Sequence, residues 1–183
     1  MNRRDLLATS AAALAGLEKK RQQGLAIDDA DALAAWWKRS GNPDWLAQRQ
    51  RVLGLLEQQA HLERMARIVG RDALPPQQQL KLLCADLIND GFLRQSSFSK
   101  VDRYCSPARQ AAMISILLAY MDRAEAAVQS GVAPSRLAEL PVVRQLQRLG
   151  EEYGEGDLRK LSQLPHQLDY EFDSLHTVDA NVR

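Results

Sequence analysis

Aromatic side chains are scarce, with three Phe, four Tyr and three Trp in 183 residues. No segment sustains the period-two alternation of a half-buried strand, which argues against a β-sheet architecture. The two cysteines, Cys84 and Cys105, form no CxxC pair. No Cys/His cluster has zinc-ligand spacing, so neither a disulfide framework nor a zinc site is expected. The reading is two reduced thiols, at least one of them in the core. His61, His166 and His176 lie far apart in sequence, and no metal or general-base role is assigned to them. Net charge is only +1, with 24 Lys and Arg against 23 Asp and Glu. That lacks the concentrated basic surface a nucleic-acid binder needs. No apolar run is long enough to span a bilayer. No GxxxxGK[ST] loop occurs, so nothing here cradles nucleotide phosphates and magnesium. No catalytic residue is assigned to this chain by itself.

What is present is Ala, Leu, Gln and Arg in quantity, all good helix formers. The expected fold is all-α, a bundle-like or orthogonal domain of about six to eight helices. Three regions are expected: 1–35 as a helix and linker, 36–176 as the helical domain, and a frayed tail from Thr177. Arg3-Arg4 followed by Leu6-Leu7 and an Ala-rich run imitates a twin-arginine export signal. The short apolar stretch and the charged Glu18-Lys19-Lys20-Arg21 favour an ordinary helix from Asp5 to about Gln23, in a cytoplasmic protein.

Along the chain, a helix carrying Leu33, Trp36 and Trp37 ends at Ser40-Gly41. Asn42-Pro43-Asp44 restarts it as cap, proline and first-turn acid. The tryptophans read as packing anchors. The longest helix runs from Trp45 to Val69. Its stripe of Val52, Leu55, Leu62, Ala66 and Val69, widened by Leu53, Leu56 and Met65, predicts burial on two sides, and Gly70 is its expected C-cap. Pro75-Pro76 opens the next helix, with Leu80, Leu83, Leu87 and Ile88 on one face, weakened near its end by Gly91. An irregular link follows to Cys105. Ser106-Pro107 then starts a helix with Met113, Ile116, Leu117, Tyr120, Ala124 and Ala127 inward, stopped by Gly131. Short helices are expected at Pro134–Leu140, after Pro141 with Val142, Val143, Leu146 and Leu149, and at Asp157–Leu164, where Pro165 ends or redirects the chain. Gly150, Gly154 and Gly156 are expected to loosen the segment between. Read by itself, the stretch from Leu80 to Tyr120 is a helical hairpin with its aromatics in the core.

The run FLRQSSFSKVDRYCS, from Phe92 to Ser106, resembles FLQQNAFHEVDTYCS in the catalytic A subunits of V-type and A-type ATPases. Phe92, Leu93, Gln95, Phe98, Val101, Asp102, Tyr104, Cys105 and Ser106 match in order without gaps. Leu62 to Leu74 resembles LQEIVQLVGPDAL, and Gly131-Val132 with Leu140-Pro141-Val142 resembles the family's GV…LPV. The likeness spans roughly Trp36 to Leu149 and corresponds to the C-terminal helical domain of that catalytic chain.

The resemblance implies a supporting role in ATP hydrolysis or synthesis coupled to proton or sodium transport. The nucleotide, ATP or ADP with Mg, would be held by the P-loop part of the A subunit. Further partners would be the B subunit plus the central-stalk D subunit, with this chain cytoplasmic and peripheral to the membrane. By position Phe98 corresponds to the family's adenine-stacking aromatic. Val101 and Tyr104 would share its face if the link is helical. Arg136 and Glu139, in a segment with few packing residues, are the expected contact with the stalk. Departures from the family are Gly91 for an acid, Arg94 for Gln, Ser99 for His and Lys100 for Glu. They read as surface changes that shift this face towards positive charge. The first ~35 residues do not resemble the family's lead-in, as in a divergent or split chain or a fragment with a foreign start. The alternatives are a stand-alone helical adaptor that lost the catalytic half, and an exported helical protein.

Overall fold

The computed structural model describes residues 37–39, 42–95, 98–102 and 104–180, with side chains described as far as 175. The expected export-like or helical segment before Trp37, and Trp36 itself, lie outside the described residues. From residue 42 onwards the described residues form eight α-helices and no strand. They are α1 (Trp45–Val69), α2 (Pro76–Ile88), α3 (Pro107–Gln129), α4 (Pro134–Ala138), α5 (Pro141–Gln147), α6 (Leu149–Glu152), α7 (Leu158–Leu161) and α8 (Leu164–Ala180). A π-helical turn (Asn89–Leu93) extends α2, and a 3₁₀ turn (Glu155–Asp157) precedes α7.

The expected helix starting at Trp45 and ending at Val69 is present. Its start differs in detail. Asn42 is buried and donates its side-chain amide to Gln48 Oε1 at 3.1 Å, while Asp44 occupies the cap position without a side-chain cap bond. Trp37 and Trp45 stack with ring centroids 4.1 Å apart and both are buried, so these two are the packing anchors expected. On α1 the buried stripe is Trp45, Arg49, Val52, Leu55 and Leu62. Leu53, Leu56 and Met65 are only half-buried, and Val69 is exposed. The helix therefore buries one main face against α2 and α3, and not two full sides.

The centre of the domain is α3, which packs against α1, α2, α7 and α8. All six of its expected inward residues are buried, and Ile114, Leu118, Met121 and Val128 are buried too. It is thus buried over most of its circumference, with Ser115, Asp122 and Ala126 left on an exposed stripe. Its ends follow the expected chemistry. Ser106 Oγ accepts from the Arg109 N–H at 3.2 Å, with Pro107 in the first turn. At the other end Gly131 takes φ +101°. The Gly131 N–H donates to the Val128 carbonyl and the Val132 N–H to the Ala127 carbonyl. This crossed pair satisfies the last carbonyls and needs a left-handed residue, which glycine adopts without a Cβ penalty.

Beyond Gly131 the segment is more tightly packed than its composition suggests. Val132, Leu137 and Leu140 are buried, and the Tyr120 hydroxyl donates to the Leu137 carbonyl at 3.1 Å. On α5, Val142, Val143 and Leu146 face inward as expected, and Leu149 follows on α6. Gly150, expected to loosen the chain, is buried inside α6. The helix expected over Asp157–Leu164 is cut to the four residues of α7, and Pro165 does not end it but lies in the first turn of α8. That helix is longer than the sequence reading allowed: it continues past Thr177, where the frayed tail is expected, to Ala180. Its Glu171 is buried and accepts from the Val142 N–H at 3.0 Å, so it caps the first turn of α5. Exposed ion pairs Arg51–Asp122 and Arg123–Asp169 link α1 and α8 to α3; each contributes at most about 1 kcal/mol.

Candidate functional site

The link between α2 and α3 carries the site. Its first aromatic, Phe92, lies in the π-helical turn and is fully buried. Just before it, Gly91 is buried where a Cβ would stand 2.1 Å from the Leu146 carbonyl oxygen. Only a glycine lets the backbone of α5 come that close. Gly91 is therefore a packing requirement, and not the surface change the family likeness suggests.

After the π turn the chain leaves the core. Phe98 is 99% exposed, Tyr104 61% and Val101 38%. The reading with these aromatics in the core holds for Phe92 and fails for Phe98 and Tyr104. Residues 98–102 form turns and not a helix, so the three side chains do not share a helical face. They are presented separately from an irregular ledge. Exposed apolar groups of this size on one short segment make it a candidate contact surface.

Beneath them the ledge is held by polar bonds from below. Arg109, in the first turn of α3, is fully buried. It donates to the carbonyls of Val101 (3.0 Å), Tyr104 (2.9 Å) and Gly150 (2.9 Å). Glu155 Oε1 lies 3.8 Å from the same guanidinium and accepts from the Ser106 N–H at 2.8 Å. Gln110 donates to the Cys105 carbonyl, and Gln95 to the Asp102 carbonyl at 2.8 Å. Ser99 Oγ accepts from the N–H groups of Val101 and Asp102. Side chains thus satisfy the backbone groups that an irregular segment leaves without a ladder. None of these holding residues was singled out from sequence for this role. The available signal for Arg109 was a lone cation inside the first turn of a helix, where the dipole disfavours it.

Beside Phe98 lies a cleft of about 360 Å³, lined by Asp90, Arg94, Gln95, Phe98, Asp102, Gly150 and Glu151. Asp90 and Glu151 offset the positive charge of Arg94 on this wall. Among the described residues no group of three or more His, Cys, Asp or Glu side chains could hold a metal. Both cysteines are buried, and burial pushes the Cys84 thiol up to about 12. Arg136 is half-buried on α4 and Glu139 is exposed at its end.

Fold and ledge together describe an all-helical domain that offers aromatic side chains from an irregular link between two packed helices. Similarity to known proteins narrows that description to one family. The family described as the C-terminal domain of V and A type ATP synthase matches residues 34–136, more than half of the chain, and the chain belongs to it. It is similar to the A subunit of the A-type ATP synthase of Thermococcus onnurineus, 33% identical over 145 residues, covering 79% of this chain and 24% of that protein. The corresponding protein of Pyrococcus horikoshii is 34% identical over 145 residues, 79% of this chain and 15% of that protein. That of Methanopyrus kandleri is 32% identical, with 79% and 24% coverage. The chain thus spans about a quarter or less of the length of these relatives.

Proposed function

We propose that the chain works as the C-terminal domain of the catalytic chain of a V/A-type ATPase, and that its ledge packs against the adenine of a nucleotide whose phosphates another chain holds. The observation that carries this reading is Phe98, fully exposed on a segment whose backbone is pinned from below. A flat apolar ring exposed on a braced segment suits a purine, and such stacks are worth about 1–3 kcal/mol. Val101 and Tyr104 would flank the base, and the cleft beside Phe98 would take its edge. The phosphates and Mg would belong to a P-loop-bearing partner, since this sequence has no loop to cradle them. The partners would be that nucleotide-binding part, the B subunit plus the central-stalk D subunit. The assembly would sit at the cytoplasmic face of a membrane without inserting this chain; no described helix is long and apolar enough to cross one.

The test is Phe98→Ala in the assembled ATPase. Loss of a stack worth about 1–3 kcal/mol raises the KM for ATP roughly 5- to 150-fold, while Phe98→Tyr stays close to wild type. An unchanged KM in Phe98→Ala would remove the adenine role.

For the stalk contact, Arg136 and Glu139 are one candidate surface. A second reading has its own observation: Ile68 is 84% exposed and Val69 is also exposed at the tip of the α1–α2 hairpin, just before Gly70. Charge reversal at Arg136 and Glu139, compared with Ile68→Asp, separates the two. The surface that contacts the stalk is the one whose variant uncouples rotation from ATP hydrolysis.

A further inference from the structure

We propose that Arg109 is the positioning residue of the ledge: its buried guanidinium sets where Phe98, Val101 and Tyr104 stand. The adenine role for the ledge rests on the reading above; the pinning itself does not. Three observations converge. First, a fully buried arginine needs compensation, because desolvation of an unpaired charge is costly. Here the compensation comes from three backbone carbonyls and one carboxylate. Second, the carbonyls belong to different elements. Those of Val101 and Tyr104 lie in the link, and that of Gly150 lies in α6. The planar fork presents its donors from two nitrogens at fixed angles, which suits acceptors in two elements. Third, Gly150 lines the cleft beside Phe98, and the Val101 carbonyl that Arg109 also holds belongs to the peptide leading into Asp102, another lining residue, so Arg109 braces the cleft from behind.

Glu155 extends the clamp. Its carboxylate accepts from the Ser106 N–H at the start of α3 and approaches Arg109, tying the end of the link to the turn before α7. Arg109 is itself fully buried and would act on a ligand only through the backbone it holds.

The experiment is hydrogen–deuterium exchange with mass spectrometry on the full chain, comparing wild type with R109Q and R109K. Loss of the fork frees the link before it frees the helices, since local opening follows local contacts. In R109Q, peptides covering 98–106 and 150–155 are expected to exchange faster by roughly tenfold, with the middle of α3 still protected. Unchanged exchange in 98–106, or equal loosening of every helix, would overturn the proposal. If R109Q does not fold, R109K carries the test, because the three donors of an ammonium radiate from one nitrogen and do not reproduce the flat fork whose two nitrogens reach carbonyls in the link and in α6. Faster exchange confined to the same two regions supports the proposal, and wild-type exchange there overturns it. In the assembled ATPase the same variants are expected to raise the KM for ATP while kcat is retained, R109K less than R109Q. A loosened link with an unchanged KM would leave the pin standing and remove the adenine reading.

Discussion

At Gly91 there is room for a hydrogen atom and little else, because the Leu146 carbonyl faces it directly. Gly91→Ala is expected to destabilise the domain by about 1–3 kcal/mol, read by urea unfolding, since a backbone atom yields less easily than a side chain. An unchanged midpoint would show that α5 moves freely. Cys84 offers a second check. Burial holds its thiol protonated, so alkylation at pH 8 is expected only in urea. The folded thiol titrates about 12 against an ordinary 9.0. This group's contribution is therefore constant below pH 9 and turns unfavourable as pH rises from there towards 12, the unfolded state ionising first. At this scale the sequence was legible wherever a residue's role follows from its own chemistry: Ser106 as cap, Gly131 as stop, Trp37 and Trp45 as anchors. It was not legible where the role depends on a partner far along the chain. Gly91 answers to Leu146, and Arg109 to Gly150.

Among the elements, α3 and its two ends follow from local signals. Gly131→Ala is expected to cost about 1–2 kcal/mol, because φ +101° is strained for any residue with a Cβ; thermal unfolding measures it. Tyr120→Phe removes the bond from α3 to the Leu137 carbonyl, which keeps the Leu140 N–H as a donor at 3.4 Å, for a loss of about 0.5–1.5 kcal/mol. A loss below that range would mean water replaces the hydroxyl. The last helix, α8, shows what the sequence reading missed. Leu164, Leu168, Phe172 and Leu175 recur at helical spacing and all are buried. Pro165 is a start signal there, being tolerated in a first turn, although it also reads as a stop. The link was harder still. Its expected helical face depends on backbone geometry, and that geometry is set by Arg109, Gln95 and Gln110 rather than by the link's own exposed residues.

At the scale of the whole molecule, the family relationship and the all-helical architecture agree, and the departures from the family have different weights. Arg94 and Lys100 are exposed, as surface changes should be, while Gly91 is structural. The domain buries its apolar residues in one main core and keeps Phe98 out of it, although an isolated fold gains nothing from exposing a phenyl ring. A ring so placed gains its free energy only from something that covers it. The most direct measurement is photolabelling of the assembled ATPase with a 2-azidoadenine nucleotide, followed by peptide mapping. A purine resting on the ledge predicts label on the peptide containing Phe98 to Tyr104, lost when unmodified ATP competes. Label confined to the other chains, with this peptide clean, would contradict it.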